Sequence, residues 1–347
     1  MTTPIAITMG DAAGIGPEII AKTYLQQPES VGECFVVGDV ATMRRALALC
    51  SAQDSLPLPV AQIESANEAL AVPPRCIPVL QPGDALPLVP YGGVSPAAGE
   101  FAGRCIVWAA EAAMRGEVSA IVTAPIHKEA LSAAGEPYSR YPGHTEMLQA
   151  VAARYQGKTM GELPVRMMLA SPELRTVLVS IHVSLRDAIK AVTRDRVLET
   201  LLITHDALMR TLGRAPRIGV AGLNPHAGEG GLFGREEIDD IAPAIVAARE
   251  HGCNVSGPWA PDTVFMRARN QLGHAGEFDV VIAMYHDQGL IPVKYLGVEQ
   301  GVNATLGLPF VRTSPDHGTA FDIAGTGRAD AASLLAALST ARQMLTF

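Results

Sequence analysis

Short apolar runs recur along the chain, separated by longer stretches in which apolar residues return every three to four positions. The runs predict strands over 4–9, 34–38, 76–80, 119–124, 165–170, 175–181, 217–222 and 279–284. Runs this short and this uniformly apolar suit strands buried on both faces. Helices fall between them. Ser95-Pro96 opens one over 97–115 and Pro17 opens one over 17–27, where proline's missing N–H costs nothing in a first helical turn. An acidic helix is predicted over 235–250 and an alanine- and leucine-rich one near 330–345. This alternation predicts an α/β fold with a largely parallel sheet covered by helices. The proline-rich stretch from Leu56 to Pro96 reads as irregular connection. A chain of 347 residues exceeds one average domain. The expected organisation is one unit, 1–347, built of two lobes, with both termini in one lobe and a middle segment in the other.

Composition narrows the function classes. Hydrophobic residues make up 48% and charged residues 18%, without a low-complexity tract, as in a globular protein. The 27 Lys and Arg against 35 Asp and Glu leave a formal charge of -8. With no basic stripe interleaved with aromatics, nucleic acid is not an expected partner. The cysteines, Cys34, Cys50, Cys76, Cys105 and Cys253, are odd in number and widely spaced, which argues for a reducing compartment and against disulfides or a structural zinc site. Met1 leads straight into the strand-like Ile5-Ala6-Ile7-Thr8-Met9, and no segment approaches 18 uninterrupted apolar residues. The expectation is a soluble cytoplasmic protein with no membrane partner.

Three histidines take the same place, each just beyond a predicted strand: His182 after Val177-Leu178-Val179-Ser180-Ile181, His226 after Ile218-Gly219-Val220-Ala221, and His286 after Val280-Val281-Ile282-Ala283-Met284-Tyr285. Ligands bind beyond the carboxyl ends of parallel strands. Three neutral imidazoles gathered there make an open divalent-metal site with positions left for substrate oxygens. Each histidine alone is equally a surface or hydrogen-bonded residue. Next to His226, the loop carrying Gly228, Glu229, Gly230 and Gly231 lets backbone N–H groups approach a phosphate, or serves only as a tight strand-to-helix turn. The earlier loop, Gly10 to Glu18, has Gly-x-x-x-Gly-x-Gly spacing and is no dinucleotide fingerprint. His144 and Thr145 stand at a helix start suited to an anion, or to plain capping by Thr145. Lys294, Asn303 and Arg312 lie in an apolar, glycine-punctuated region. A phosphate or carboxylate would satisfy the two cations, as would ion pairs with Asp287 or Asp316.

Taken together the motifs resemble one family, the 4-hydroxythreonine-4-phosphate dehydrogenases or PdxA family. They are Ile-Thr-Met-Gly-Asp-x-Ala-Gly-Ile-Gly-Pro-Glu from Ile7, Thr-Ala-Pro from Thr123, Pro-Gly-His-Thr-Glu from Pro142, Leu-Asn-Pro-His-Ala-Gly-Glu-Gly-Gly from Leu223, Pro-Asp-Thr-Val-Phe from Pro261, Ala-Met-Tyr-His-Asp-Gln-Gly from Ala283 and Arg-Thr-Ser-x-Asp-His-Gly-Thr-Ala from Arg312. The resemblance implies an α/β/α sandwich like isocitrate and isopropylmalate dehydrogenases, with two lobes, a cleft between them and no Rossmann fold. It implies His182, His226 and His286 as ligands of a divalent ion (zinc, magnesium, manganese or cobalt), and His144, Thr145, Lys294, Asn303 and Arg312 as contacts of a small anionic substrate. NAD, with NADP as the alternative, is assigned to Gly228–Gly231, and Lys294, Asp262 or Asp287 to the role of general base. The family also implies a homodimer with a shared site, His182 and His226 coming from one subunit and His286 from the other.

The activity so implied is oxidation of a secondary hydroxyl with decarboxylation, on 4-phosphooxy-L-threonine. Relatives of this family act on threonate or erythronate 4-phosphate, and others on a terephthalate-type cis-dihydrodiol. Ala12, where proline is common, and longer stretches at Tyr138-Ser139-Arg140 and Gln156-Gly157-Lys158 are departures that bear on substrate choice. From the residues alone, a metal-dependent hydrolase or aldolase and a non-catalytic metabolite-binding protein are the competing classes.

Overall fold

The computed structural model describes residues 3–51, 58–297 and 300–345. Its chain divides into two compact units, Met1–Pro164 with Leu308–Arg342, and Val165–Gly307 with Gln343–Phe347.

In the first unit the strands are β1 (Ile5–Thr8), β2 (Cys34–Val37), β3 (Val60–Ile63), β4 (Ile77–Leu80), β5 (Ala120–Thr123) and, late in the chain, β12 (Val311–Pro315). They lie in the order β3-β4-β2-β1-β5-β12, and every pairing is parallel. β1, β2, β4 and β5 are buried at all four positions. That is why they read as continuous apolar runs rather than alternating ones. Helices α1 (Gly16–Gln26), α2 (Val40–Cys50), α3 (Pro96–Met114), α4 (Lys128–Ala133), α5 (His144–Tyr155) and α11 (Ala332–Leu345) connect or follow these strands. The start of α3 matches its sequence signal: Ser95 Oγ accepts from Ala98 N at 3.3 Å and Pro96 takes the first position. β1 and β5 are neighbours, with β2 on one flank and β12 on the other, so their carboxyl ends form a switch point of the kind where α/β sheets bind ligands.

The second unit contains β6 (Arg166–Ala170), β7 (Arg175–Leu178), β8 (Ile218–Ala221), β9 (Val255–Trp259), β10 (Val280–Ala283) and β11 (Val302–Leu306). Their order is β11-β6-β7-β10-β8-β9. β6 runs antiparallel to both neighbours, and the rest of the pairings are parallel. Its helices are α6 (Leu185–Ala191), α7 (Arg194–Leu212), α8 (Ala242–Glu250), α9 (Val264–Ala268) and α10 (His286–Tyr295). β10 sits in the middle of the parallel group, fully buried, with a core of Val177, Val220, Ile245, Leu201 and Ile282 on one face.

Four strands carry no clear apolar run, and for physical reasons. β3 (VAQI) is only partly buried and lies in the stretch read as irregular, whose first residues, Leu56 and Pro57, are outside the described residues. β9 contains Gly257 and Pro258, and its register shifts between Gly219 and Ala221 of its partner. β11 (VNATL) and β12 (VRTSP) mix polar residues into buried positions. The acidic segment predicted as one helix over 235–250 is a π-helical turn, Glu237–Ile241, followed by α8. Among the described residues, no helix is long and apolar enough to cross a membrane.

Candidate functional site

His182, His226 and His286 all belong to the second unit, on the loops that leave three adjacent parallel strands, β7, β8 and β10. Three side-chain bonds hold these loops at the sheet's edge. Ser180 Oγ donates to the Met284 carbonyl at 3.0 Å, drawing the loop after β7 onto the end of β10. Gln288 bridges β10 to β8, its Oε1 accepting from Met284 N at 2.7 Å and its Nε2 donating to the Gly222 carbonyl at 2.8 Å. The result brings the His182 and His286 rings to 5.7 Å between centroids. His286 opens α10 and its Nδ1 lies 2.7 Å from Asp287 Oδ1. Among the described residues, no three histidine, cysteine, aspartate or glutamate side chains converge closely enough within the chain to hold a metal ion.

His226 stands on an unusual piece of backbone. From His226 to Gly230 every residue is left-handed, with φ of 53°, 51°, 78°, 42° and 66°. His182 shares this conformation at φ 46°. An L-residue pays about 1–2 kcal/mol for it, so His226, Ala227 and Glu229 hold real strain. The buried carboxylate of Glu237 faces this turn. Its Oε1 accepts from the N–H groups of Leu223 and Asn224, both at 2.7 Å, and its Oε2 accepts from Asn224 Nδ2 at 2.9 Å. Read as a glycine-rich phosphate loop, the segment is only partly open: Gly228 is buried, while Glu229 and Gly230 are exposed.

A cavity of about 710 Å³ opens beside this turn. Leu223, Pro225 and His226 line it, with Asp262, Tyr285 and Asp287. Gly228 to Gly231 are not among its lining residues, so the head of the loop, rather than its glycines, meets the cavity. Two of the three candidate bases, Asp262 and Asp287, reach it; the third, Lys294, lies in the last turn of α10 and is partly buried. Asn303 is on β11, paired with Leu169 of β6.

His144, Thr145 and Arg312 belong to the first unit. Arg312 stands on β12 opposite Ile121 and is only 3% exposed. Its Nε and Nη2 donate to Thr123 Oγ1 at 3.2 and 2.7 Å, which binds it to the end of β5. Burial pulls the guanidinium down to about 10, opposed by Glu146, so it keeps its charge at neutral pH. His144 is the first residue of α5, with Thr145 in the same turn; Gly143 is the N-cap, and no side chain caps the helix. Burial, then the nearby Arg312 cation, hold the His144 imidazole well below its ordinary value, against a hydrogen bond to the Ala124 carbonyl. It is therefore neutral, and its Nε2 is a buried atom without a hydrogen-bond partner. A buried cation beside an unsatisfied imidazole nitrogen is an arrangement that suits an anion that also carries a hydroxyl donor.

Residues 30–341 match the family model described as pyridoxal phosphate biosynthetic protein PdxA. The chain belongs to the PdxA family. It is 51% identical to a 4-hydroxythreonine-4-phosphate dehydrogenase of Beijerinckia indica, over 98% of this chain and 95% of the relative. It is 44% identical to a D-threonate 4-phosphate dehydrogenase of Pectobacterium atrosepticum, over 99% and 100%. The crystal structure of a 4-hydroxythreonine-4-phosphate dehydrogenase from Klebsiella pneumoniae, 42% identical, superposes with a TM-score of 0.85, covering 99% of this chain and all of that one. These relatives are dehydrogenases, which supports an oxidoreductase over the hydrolase and binding-protein readings. The sequence motifs did not single out Ser180 or Glu237. Ser180 looks like part of an apolar strand, and Glu237 like one more acid on a solvated helix, since its partners lie 13 and 14 residues away. Gln288 lies within the Ala-Met-Tyr-His-Asp-Gln-Gly motif, whose sequence does not reveal that its side chain bridges β10 to β8.

Proposed function

We propose that this PdxA chain is an NAD- and divalent-metal-dependent dehydrogenase that oxidises the secondary hydroxyl of 4-phosphooxy-L-threonine, with loss of the neighbouring carboxylate. The observation that carries the substrate is the 51% identity, over nearly the whole length, to a relative named for that compound. The donor set fits a divalent ion: imidazoles suit zinc and cobalt and tolerate manganese, and all three follow adjacent strands. Such an ion, when bound by His182, His226 and His286, supplies Lewis acidity toward the substrate hydroxyl. The nicotinamide, when bound, accepts the hydride. The cavity beside His226 is large enough for a nicotinamide and its ribose. Arg312 and His144 hold the anionic end of the substrate, Thr145, Lys294 and Asn303 complete its contacts, and Asp262 or Asp287 takes the hydroxyl proton. Oxidation leaves a β-keto acid, which loses carbon dioxide readily. The working unit is a homodimer that shares its metal site.

A second reading, threonate 4-phosphate as substrate, is favoured by the 44% identical relative of that name. One assay separates them: NADH formation with 4-phosphooxy-L-threonine, D-threonate 4-phosphate and a terephthalate-type cis-dihydrodiol, before and after exhaustive chelation. The expected result is turnover of the phosphothreonine first, abolished by chelation and restored by zinc, cobalt, manganese or magnesium. Full activity in metal-free protein, checked by elemental analysis, rejects the metal; preference for another substrate rejects the phosphothreonine.

A further inference from the structure

We infer that Glu237 is a positioning residue for His226, acting through the left-handed turn. The inference rests on the reading of His226 as a ligand of a divalent ion. Glu237 is 3% exposed, and its two oxygens are fully used by the backbone and side chain just ahead of His226: Leu223 N, Asn224 N and Asn224 Nδ2. Asn224 Nδ2 also donates to Glu236 Oε2 at 2.6 Å. One amide nitrogen thus lies between two carboxylates, and only a donor can sit there.

Three glycines leave the room this lock needs. A Cβ at Gly234 would fall 2.3 Å from Asn224 Nδ2. One at Gly228 would fall 2.8 Å from Glu237 Oε2, and one at Gly222 would fall 2.9 Å from Ala227 Cα and 3.0 Å from Glu237 Oε1. Glu237 also begins the π-helical turn, a wide turn that recurs at functional sites. The strained backbone from His226 onward therefore has a specific restraint. The carboxylate fixes the amide plane at Leu223–Asn224, and His226 follows two residues later.

Glu237→Gln tests this with little change of shape. The new side chain still offers an oxygen to the two backbone N–H groups, but sets an NH2 against the NH2 of Asn224. Flipping the Asn224 amide would only turn its oxygen toward Glu236, so one bond is lost either way. The measurement is cobalt(II) affinity of the full-length protein by visible absorption, alongside its melting temperature. Removing an outer partner of a metal ligand weakens binding roughly 10- to 100-fold. The expected result is a loss in that range with a melting temperature close to wild type. Glu236→Ala, at a partly exposed position, removes the other acceptor of Asn224 Nδ2, and roughly tenfold weaker cobalt binding is expected. It carries the test alone if Glu237→Gln does not fold. Unchanged cobalt affinity in the folded variants overturns the positioning role and leaves the metal reading intact. A wild-type protein that binds no cobalt overturns both.

Discussion

The candidate residues of the two units are prepared in opposite ways. The anion corner, Arg312 with His144 and Thr123, rests on ordinary strand and helix backbone, and its tension is electrostatic: a buried charge beside a histidine forced to stay neutral. The histidine face is partly exposed and holds its tension in the backbone, in left-handed residues at His182 and from His226 to Gly230. A site of the first kind is made by burial, and a ligand relieves it by supplying charge. A site of the second kind is made by loop geometry and is only as good as the bonds that hold the loop. Substitutions should therefore behave differently in the two places.

The largest effects should come from the histidine face, and paired inactive variants can show how it is assembled. The family resemblance puts His182 and His226 on one subunit and His286 on the other, whereas in this chain the neighbouring rings are His182 and His286. His182→Ala, His226→Ala and His286→Ala should each abolish turnover. On mixing with subunit exchange, the first arrangement restores about a quarter of wild-type activity for the His182→Ala and His286→Ala pair. If His182 and His286 instead serve one site together, that pair stays dead and the His182→Ala and His226→Ala pair recovers. No recovery in any pair, with heterodimers proven by mass spectrometry, rules out sharing.

Arg312→Ala should come next. A charge-assisted contact contributes about 1.5–3 kcal/mol, so the KM for the phosphorylated substrate should rise roughly 10- to 100-fold, with the KM for NAD little changed. An equal loss for both ligands would make Arg312 a structural residue and remove the contrast between the two units.

The smallest effect is on stability. His144 titrates lower folded than unfolded, so below its ordinary value of 6.5 the unfolded chain binds the extra proton. Stability should then fall as the pH drops from about 6.5 toward the folded-state value, by at most about 1.4 kcal/mol per pH unit. His144→Gln should flatten that part of a denaturant-monitored pH profile. An identical profile in the variant would show that the imidazole is not held neutral by its surroundings.

Sequence alone went furthest where burial and chemistry coincide. β8 and β10 are apolar throughout and β7 becomes so from Val177, so both the strands and the histidines just beyond them can be read directly. β12 shows the limit: Arg312 is an evident candidate, but a strand spelled VRTSP does not reveal that its arginine is buried against Thr123, 189 residues away. The turn after β8 shows another. Its glycines are visible in the sequence, but not that Gly228 leaves room for Glu237, that Gly231 abuts Ile238 or that Gly230 has open space around it. Spacing reports that glycine is needed, not which neighbour needs it.

The seclusion of Arg312 also separates how fast an anionic substrate arrives from how tightly it stays. The protein carries a formal charge of -8, so at long range it repels the molecule it is proposed to bind. Dissolved salt screens that outer field within about 10 Å at 0.1 M, but scarcely reaches a guanidinium sealed inside the sheet. Raising ionic strength therefore favours encounter without loosening the grip, the reverse of an enzyme that steers its substrate with exposed lysines.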